Sequence, residues 1–142
     1  MQKNNTARRD FIKLSAMGIS SLAIAPVAAI RPEQTADKLQ IVCLGAHPGD
    51  PEFGCGGTMA KYSDAGHMVT FIYLTRGGAS DPAKPYAELA ALRTSEANTS
   101  CKILNTTPVF AGQLDGDTVL DKKQNEEMTK MILALNPDIV FT

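Results

Sequence analysis

Residues 39–58 read LQIVCLGAHPGDPEFGCGGT, and this stretch decides the fold of the chain. Its apolar start, residues 41–44, predicts a buried strand, and the small residues Gly45 and Ala46 end that strand abruptly. Polar residues and a glycine cluster then lead into a helical pattern. Ligands of open α/β sheets gather beyond the carboxyl ends of the strands, so this turn is a candidate site.

Outward from this stretch, strand patterns alternate with helix patterns. Strands are predicted at about residues 39–44, 68–75, 108–111 and 138–142. Helices are predicted to begin near Gly57, at Tyr86 and at Asp121. The order β-α-β-α-β-α-β is typical of a parallel sheet with helices on both faces. We therefore predict an α/β domain over residues 39–142, truncated after its fourth strand.

Composition excludes several classes of partner. The 142 residues are 44% apolar and carry a formal net charge of -1, which favours neither nucleic acid nor a membrane surface as a partner. The three cysteines show no CxxC spacing, so neither a disulfide framework nor a cysteine zinc site is predicted. Cys43 is expected to be a small buried apolar residue of the first strand.

The first thirty residues have the layout of an export signal. A basic segment that includes Arg8 and Arg9 precedes an uncharged apolar run over residues 14–30. The sequence around the two arginines closely resembles a twin-arginine motif. We predict a signal peptide over residues 1–30, a linker over residues 31–38, and an exported protein, periplasmic or extracellular, that meets the membrane and the export machinery through this segment. An uncleaved membrane anchor is the alternative.

Polar side chains collect at the carboxyl edge of the predicted sheet, namely those of His47, Asp50, Arg76, Asp115 and Asp117. His47 and Asp50 follow the first strand, three residues apart, and both residue types are good zinc ligands. Catalytic zinc sites typically use three protein ligands and a water, so a third ligand must come from elsewhere. The alternative is that Asp50 caps the next helix while His47 hydrogen-bonds within the turn.

Other candidate residues carry weaker signals. The cluster at residues 54–57 could cradle a phosphate, but Met59 stands where a dinucleotide fingerprint needs its third glycine. His67 precedes the second strand, at the amino edge of the sheet, which favours a structural role. Arg93 and Glu96 lie three apart on a predicted helix and can form a surface ion pair.

Residues 46–58, AHPGDPEFGCGGT, closely resemble the opening signature of the PIG-L, or LmbE-like, deacetylases. The resemblance continues through AGH at residues 65–67, TRG at residues 75–77 and LRTSE at residues 92–96, and less closely through LDG at residues 114–116. It implies a Rossmann-like three-layer sandwich with a mostly parallel sheet. It also implies a zinc-dependent enzyme that removes acetyl groups from N-acetylglucosamine units of glycoconjugates.

The resemblance assigns roles to particular residues. His47 and Asp50 match the family's zinc ligands, and Arg93 and Asp115 match positions that contact the sugar substrate. The family's third ligand is a histidine of a later motif, which is expected beyond Thr142.

Gly49 departs from the family pattern. The family has an aspartate there, which acts as the general base, and glycine cannot accept a proton. Loss of a positioned base typically costs about 10² to 10⁴ in rate. Either Glu52 or Asp115 substitutes, or the protein is a slow hydrolase or a carbohydrate-binding homologue without catalysis. A nucleotide-binding Rossmann module is a third, weaker reading.

Overall fold

A four-stranded parallel sheet forms the centre of the chain. The computed structural model describes residues 37–142, so the predicted signal peptide and most of the predicted linker lie outside the described residues. The strands are β1 (Gln40–Gly45), β2 (Met68–Thr75), β3 (Thr107–Gln113) and β4 (Ile139–Phe141). They lie in the order β3-β2-β1-β4, and each pairing is parallel. The predicted α/β class and parallel sheet are confirmed.

The helices that connect the strands are α1 (Asp50–Asp64), α2 (Tyr86–Leu104) and α3 (Lys122–Leu135). Helix α1 packs on β1, β2 and α2, whereas α3 packs against β1. The chain moves outward from β1 to β3 and then returns to β4 on the other side of β1. Right-handed crossovers therefore place α1 and α2 on one face and α3 on the other. Within residues 37–142, none of these helices is long and apolar enough to cross a bilayer.

The main core lies between the sheet and the helices α1 and α2. Alternate side chains of β1 and β2 face these helices, as the two-residue period of a strand requires. Val42 and Ile72, at the intervening positions, are buried too. The cluster of buried core residues consists of Ile41, Cys43, Met59, Val69, Phe71, Tyr73, Ala97 and Cys101.

Helix α1 begins earlier than predicted. The prediction of a start near residue 57 is wrong, because the helix begins at Asp50. The Gly49 N–H donates to Glu52 Oε2 at 3.1 Å, which satisfies one of the N–H groups at the helix start, and Pro51 needs no partner in a first turn. The helix kinks at Cys55, where φ is -149° and ψ is 15°. The glycine cluster therefore lies inside a bent helix.

The close approach of β1 and α1 requires a small residue at the strand end. A Cβ atom on Gly45 would lie 2.6 Å from Cδ of Pro51 and 2.7 Å from Cβ of Asp50. Real Cβ atoms do not approach neighbours that closely, so glycine lets the turn between the two elements fold tightly. This turn carries His47 to the carboxyl edge of the sheet.

At the opposite edge, His67 has the structural role that the sequence predicts. Its Nδ1 atom accepts a hydrogen bond from the Leu39 N–H at 3.2 Å. Its ring lies 5.7 Å from the Tyr62 ring, centroid to centroid. These contacts join the start of β1 to the end of α1, away from the candidate site.

Candidate active site at the carboxyl edge of the sheet

A cleft of about 510 Å³ opens at the carboxyl ends of the strands. The predicted residues His47, Asp50, Arg93 and Asp115 all contribute to its wall, although they come from three different parts of the chain. The remaining lining residues are Pro48, Gly49, Phe53, Gly77, Ala79, Ser80 and Gly116. The fold therefore brings His47, Asp50 and Asp115, which follow strand ends, together with Arg93 of α2, whereas Arg76 and Asp117 are not part of this wall.

His47 lies between two carboxylates. Its Nε2 atom lies 2.7 Å from Asp115 Oδ1, which is hydrogen-bonding distance. Its Nδ1 atom lies 3.6 Å from Asp50 Oδ2, which is too long for a hydrogen bond. Asp50 Oδ2 instead accepts the backbone N–H of His47 at 2.8 Å. The Asp50 side chain thus holds the turn, although its hydrogen bond goes back to His47 and not into the following helix.

Asp115 is the most buried ionisable group of the cleft, with a side chain only 9% exposed. Its Oδ2 accepts the Ala79 N–H at 2.9 Å, and its own N–H donates to the Tyr86 hydroxyl at 2.9 Å. Burial alone would raise the pKa of Asp115. The hydrogen bonds from Ala79, His47 and Gly116, together with the charge of His47, outweigh burial and lower the pKa below its ordinary value. Asp115 is thus held ionised beside His47.

Arg93 reaches the cleft from α2. Its Nη2 group donates to the Pro48 carbonyl at 2.8 Å, and its Nη1 group donates to Glu96 Oε2 at 3.0 Å. The predicted pair with Glu96 therefore forms. The Nε atom of Arg93 is buried without a hydrogen-bond partner among the described residues. The guanidinium ties α2 to the turn that carries His47 and presents positive charge to the cleft.

Glu52 lies outside the wall of the cleft, and both of its carboxylate oxygens accept hydrogen bonds. Its Oε1 atom accepts hydrogen bonds from the Tyr73 hydroxyl at 2.7 Å and the Ser100 hydroxyl at 2.6 Å. Its Oε2 atom accepts the Gly49 N–H at 3.1 Å. These bonds connect β2, α2 and the turn before α1. Of the two substitute bases that the sequence leaves open, only Asp115 faces the cleft.

Gly49 adopts a backbone conformation that favours glycine. Its φ angle is +108°, where side chains of L-residues are strained. A Cβ atom there would lie 3.4 Å from the Phe53 ring and 3.7 Å from Arg93 Nη2. The side chain missing at this position would therefore enter the cleft between Phe53 and Arg93.

The ligand pair fits a metal ion in part. Two ligands of one tetrahedral zinc, with bonds of about 2.1 Å, lie about 3.4 Å apart. The 3.6 Å separation of His47 Nδ1 and Asp50 Oδ2 is close to that value. Metal-binding histidines usually donate their other ring N–H to a carboxylate, and Asp115 is so placed at Nε2. Residues 37–142 contain no group of three or more His, Cys, Asp or Glu side chains arranged to hold a metal.

The sequence pattern does not identify two residues that contribute to this region. It predicts Tyr73 only as part of a strand, yet the Tyr73 hydroxyl donates a hydrogen bond to Glu52 beside the turn. Phe53 is 94% exposed at the rim of the cleft. A signal for the Glu52 role was available, because glutamate three residues after a helix cap is the spacing of a capping box.

Comparison with known proteins identifies the family of this chain. A family model described as PIG-L, GlcNAc-PI de-N-acetylase, matches residues 42–142. The chain belongs to the PIG-L family. The match begins within β1, runs to Thr142 and includes every residue that lines the cleft.

Individual PIG-L relatives include two curated enzymes. The diacetylchitobiose deacetylase of Thermococcus kodakarensis is 35% identical over 110 residues, which cover 74% of this chain and 40% of that protein. The 1D-myo-inositol 2-acetamido-2-deoxy-alpha-D-glucopyranoside deacetylase of Kineococcus radiotolerans is 30% identical over 112 residues, which cover 72% of this chain and 30% of that protein. The chain thus spans less than half the length of these relatives.

A solved PIG-L-like structure supports the fold. The N,N'-diacetylchitobiose deacetylase of Pyrococcus horikoshii, in complex with an inhibitor, superposes with a TM-score of 0.70 at 26% sequence identity. The alignment covers 100% of this chain and 51% of that chain. The Rossmann-like sandwich implied by the sequence is therefore confirmed.

Proposed function

We propose that this PIG-L protein is an exported, zinc-dependent hydrolase that removes acetyl groups from N-acetylglucosamine-type glycoconjugates. The observation that carries the proposal is the placement of His47 Nδ1 and Asp50 Oδ2, 3.6 Å apart at the wall of the cleft. Two curated relatives at 35% and 30% identity are named as deacetylases of acetamido sugars or diacetylchitobiose, which supports the substrate class.

His47 and Asp50 hold the metal in this proposal, and the third protein ligand comes from beyond Thr142. Zinc, when bound, supplies Lewis-acid polarisation of the acetyl carbonyl and acidification of the attacking water. Asp115 accepts the Nε2–H of His47, which fixes the tautomer that leaves Nδ1 free to bind. The Ala79 N–H in turn fixes the carboxylate of Asp115.

Arg93 and Asp115 orient the sugar. Arg93 offers a guanidinium at the side of the cleft formed by Pro48 and Phe53. The two carboxylate oxygens of Asp115 accept one hydrogen bond each, from His47 and from the Ala79 N–H, so lone pairs remain for a sugar hydroxyl. Both residues line the same cleft as His47 and Asp50.

Proton transfer from the attacking water needs a base other than Gly49. Glu52 does not line the cleft, so it is badly placed for this role. With Asp50 assigned to the metal, Asp115 is the carboxylate left in the cleft, and we assign the proton to it.

Acetate release from N,N'-diacetylchitobiose by the full-length protein, including the part beyond Thr142 that supplies the third ligand, tests the proposal, with zinc content measured on the same sample. We expect zinc to bind in a ratio of about one per protein and to be lost in His47→Ala. Ser80→Ala, at the cleft wall but with no proposed role in binding zinc, is the matched control and should keep its zinc. A full-length protein that binds no zinc contradicts the proposal.

A catalytically inactive carbohydrate-binding protein is the second candidate, and Gly49 favours it. Gly49→Asp restores the family's carboxylate, while Gly49→Asn introduces the same backbone strain at φ +108° without a base. Deacetylation that rises only in the aspartate variant, from a wild type with none, would establish the second candidate. Activity already present in the wild type, and no higher in either variant, would support Asp115 as the base.

The proposal that the protein is exported rests on residues 1–30, which include Arg8 and Arg9 of the twin-arginine-like motif. Cell fractionation of the full chain should find the protein outside the cytoplasm. The double substitution Arg8→Lys and Arg9→Lys should retain it inside, whereas Lys3→Arg, which preserves the charge outside the motif, should leave export intact. Retention of the wild type in the cytoplasm would contradict export without affecting the hydrolase proposal.

A further inference from the structure

Two cysteines that are distant in the sequence meet beside the turn that carries His47 and Asp50. The Sγ atoms of Cys43 and Cys55 lie 3.1 Å apart. Cys43 belongs to β1 and is 3% exposed, whereas Cys55 lies at the kink of α1 and is half-buried. Both are free thiols, and a disulfide bond of about 2.05 Å would require the sulfurs to approach by about 1 Å.

The distance favours a covalent pair over a shared metal. Two thiolates bound to one zinc at about 2.3 Å each would lie about 3.7 Å apart, farther than these sulfurs. The backbone at Cys55 has a φ of -149°, which is not helical. The regular hydrogen bonds of a straight helix therefore do not fix the position of this residue. A small backbone adjustment at the kink can therefore bring the sulfurs together.

Cys55 is partly exposed. It lines an open depression of about 370 Å³ on α1, separate from the cleft in most of its lining residues. Gly54, Gly56 and Gly57 contribute no side chains that would cover it, and its wall carries one charge of each sign, from Glu52 and Lys61. A small disulfide can approach Cys55 through this depression, whereas Cys43 is only 3% exposed.

We propose that Cys43 and Cys55 form a redox-reactive dithiol site that low-molecular-weight disulfides convert to an intramolecular disulfide. The Cys55 thiolate attacks one sulfur of the reagent, breaks its S–S bond and expels one thiol. Cys43 then loses its proton and attacks Cys55 Sγ, which expels the second thiol. The two cysteines lose two protons and two electrons in total, and the reagent gains them.

The environments of the two sulfurs set the order of these steps. Burial, followed by the contact with Cys55, raises the pKa of Cys43 to about 12. Because the thiolate is the nucleophile, Cys43 is a poor first attacker, and its closeness to Cys55 makes it effective in the second step.

The cross-link would enclose the candidate metal ligands. Cys43 and Cys55 are 12 residues apart, and His47, Gly49 and Asp50 lie between them. Closing this loop limits the freedom of the unfolded chain and ties the end of β1 to the kink of α1. The oxidised form should therefore be more resistant to heat.

The experiment uses the reduced full chain and oxidised glutathione as the probe. Peptide mapping without reductant should find a Cys43–Cys55 cross-linked peptide that has lost two hydrogens, with Cys101 still free. The melting temperature should rise by roughly 5–10 °C and return on reduction. A wild type in which Cys55 keeps a stable glutathione adduct, or in which Cys43 and Cys55 both remain free thiols, overturns the proposal.

Variants separate the two steps. Cys43→Ala should stop at a persistent glutathione adduct on Cys55, with no rise in melting temperature. Cys101→Ala is the matched control, because Cys101 is equally buried but contacts the Tyr73 hydroxyl at 3.4 Å and no second cysteine. It should form the cross-link as the wild type does. The peptide map of the wild type is enough to support or overturn the proposal, even if one of the variants does not fold.

Discussion

Replacing Glu52 tests whether this partly buried carboxylate supports the turn that carries His47. Two substitutions are informative. Glu52→Ala removes all three hydrogen bonds, which come from Tyr73, Ser100 and the Gly49 N–H. Glu52→Gln removes only the charge. A rotated amide can accept from the Gly49 N–H through its oxygen and donate through its nitrogen to both hydroxyl oxygens.

The expected loss in the free energy of unfolding depends on the hydrogen-bond partners that remain after each substitution. A hydrogen bond to a charged group contributes about 1.5–3 kcal/mol. After Glu52→Ala, the Tyr73 hydroxyl still has Cys101 Sγ at 3.4 Å, and the Ser100 hydroxyl still has the Ala97 carbonyl at 3.0 Å. The net loss is then about 3 kcal/mol, most of it at the Gly49 N–H and in the cavity left behind. Glu52→Gln keeps each contact without the charge, so about 1 kcal/mol is expected.

Urea unfolding of the full chain, followed by far-ultraviolet circular dichroism, measures both losses, since the chain contains no tryptophan. The urea slope should stay unchanged, so that the midpoint reports stability. An alanine variant within 1 kcal/mol of wild type would refute the network as a support. A glutamine variant as unstable as the alanine variant would show that the charge, not the pattern of contacts, is what matters.

Three further predictions concern single residues. Thiols of the unfolded chain lose their protons near pH 9.0, whereas burial raises the pKa of Cys43 in the folded chain to about 12. Between these two pH values the folded state binds one more proton than the unfolded state. The free energy of unfolding should therefore fall as the pH rises, by at most about 1.4 kcal/mol per pH unit. Cys43→Val should show a shallower fall in urea titrations under reducing conditions. Gly49→Ala should cost about 1–3 kcal/mol in the same assay because of its φ of +108°, whereas Gly57→Ala, with open space around it, should stabilise α1 slightly. Arg76→Met removes a guanidinium 4.4 Å from the centre of the Phe110 ring and should lower the melting temperature by an amount equivalent to about 1 kcal/mol; an unchanged melting temperature would contradict this contact.

Much of the architecture could be predicted from local patterns. Strands β1 and β2 are short apolar runs bounded by turn residues, and α2 runs over the predicted residues from Tyr86 to Leu104. The start of α1 could not be predicted from the glycines alone. Its first turn contains Pro51 and is followed by Gly54, residues that disfavour a helix interior by local propensity. Side chains from elsewhere in the fold override that propensity.

The same contrast applies to the candidate site. Parallel topology was enough to predict that His47, Asp50 and Asp115 share one edge, because every strand of such a sheet points the same way. It could not predict that Asp115, 68 residues from His47, lies within 2.7 Å of its ring. Nor could it predict that the sulfurs of Cys43 and Cys55 lie in contact, since their meeting depends on where α1 begins and bends.

The sequence by itself therefore determined the order of strands and helices, the parallel sheet, the edge at which the site lies and the residue types that line it. Only the tertiary structure decided the early start of α1, the hydrogen bonds of Glu52 beneath the turn that carries His47, and the pairing of His47 with Asp115. The reason is physical. Periodicity and turn residues act over a few neighbouring positions, whereas these features depend on hydrogen bonds and packing between elements that the fold alone brings together.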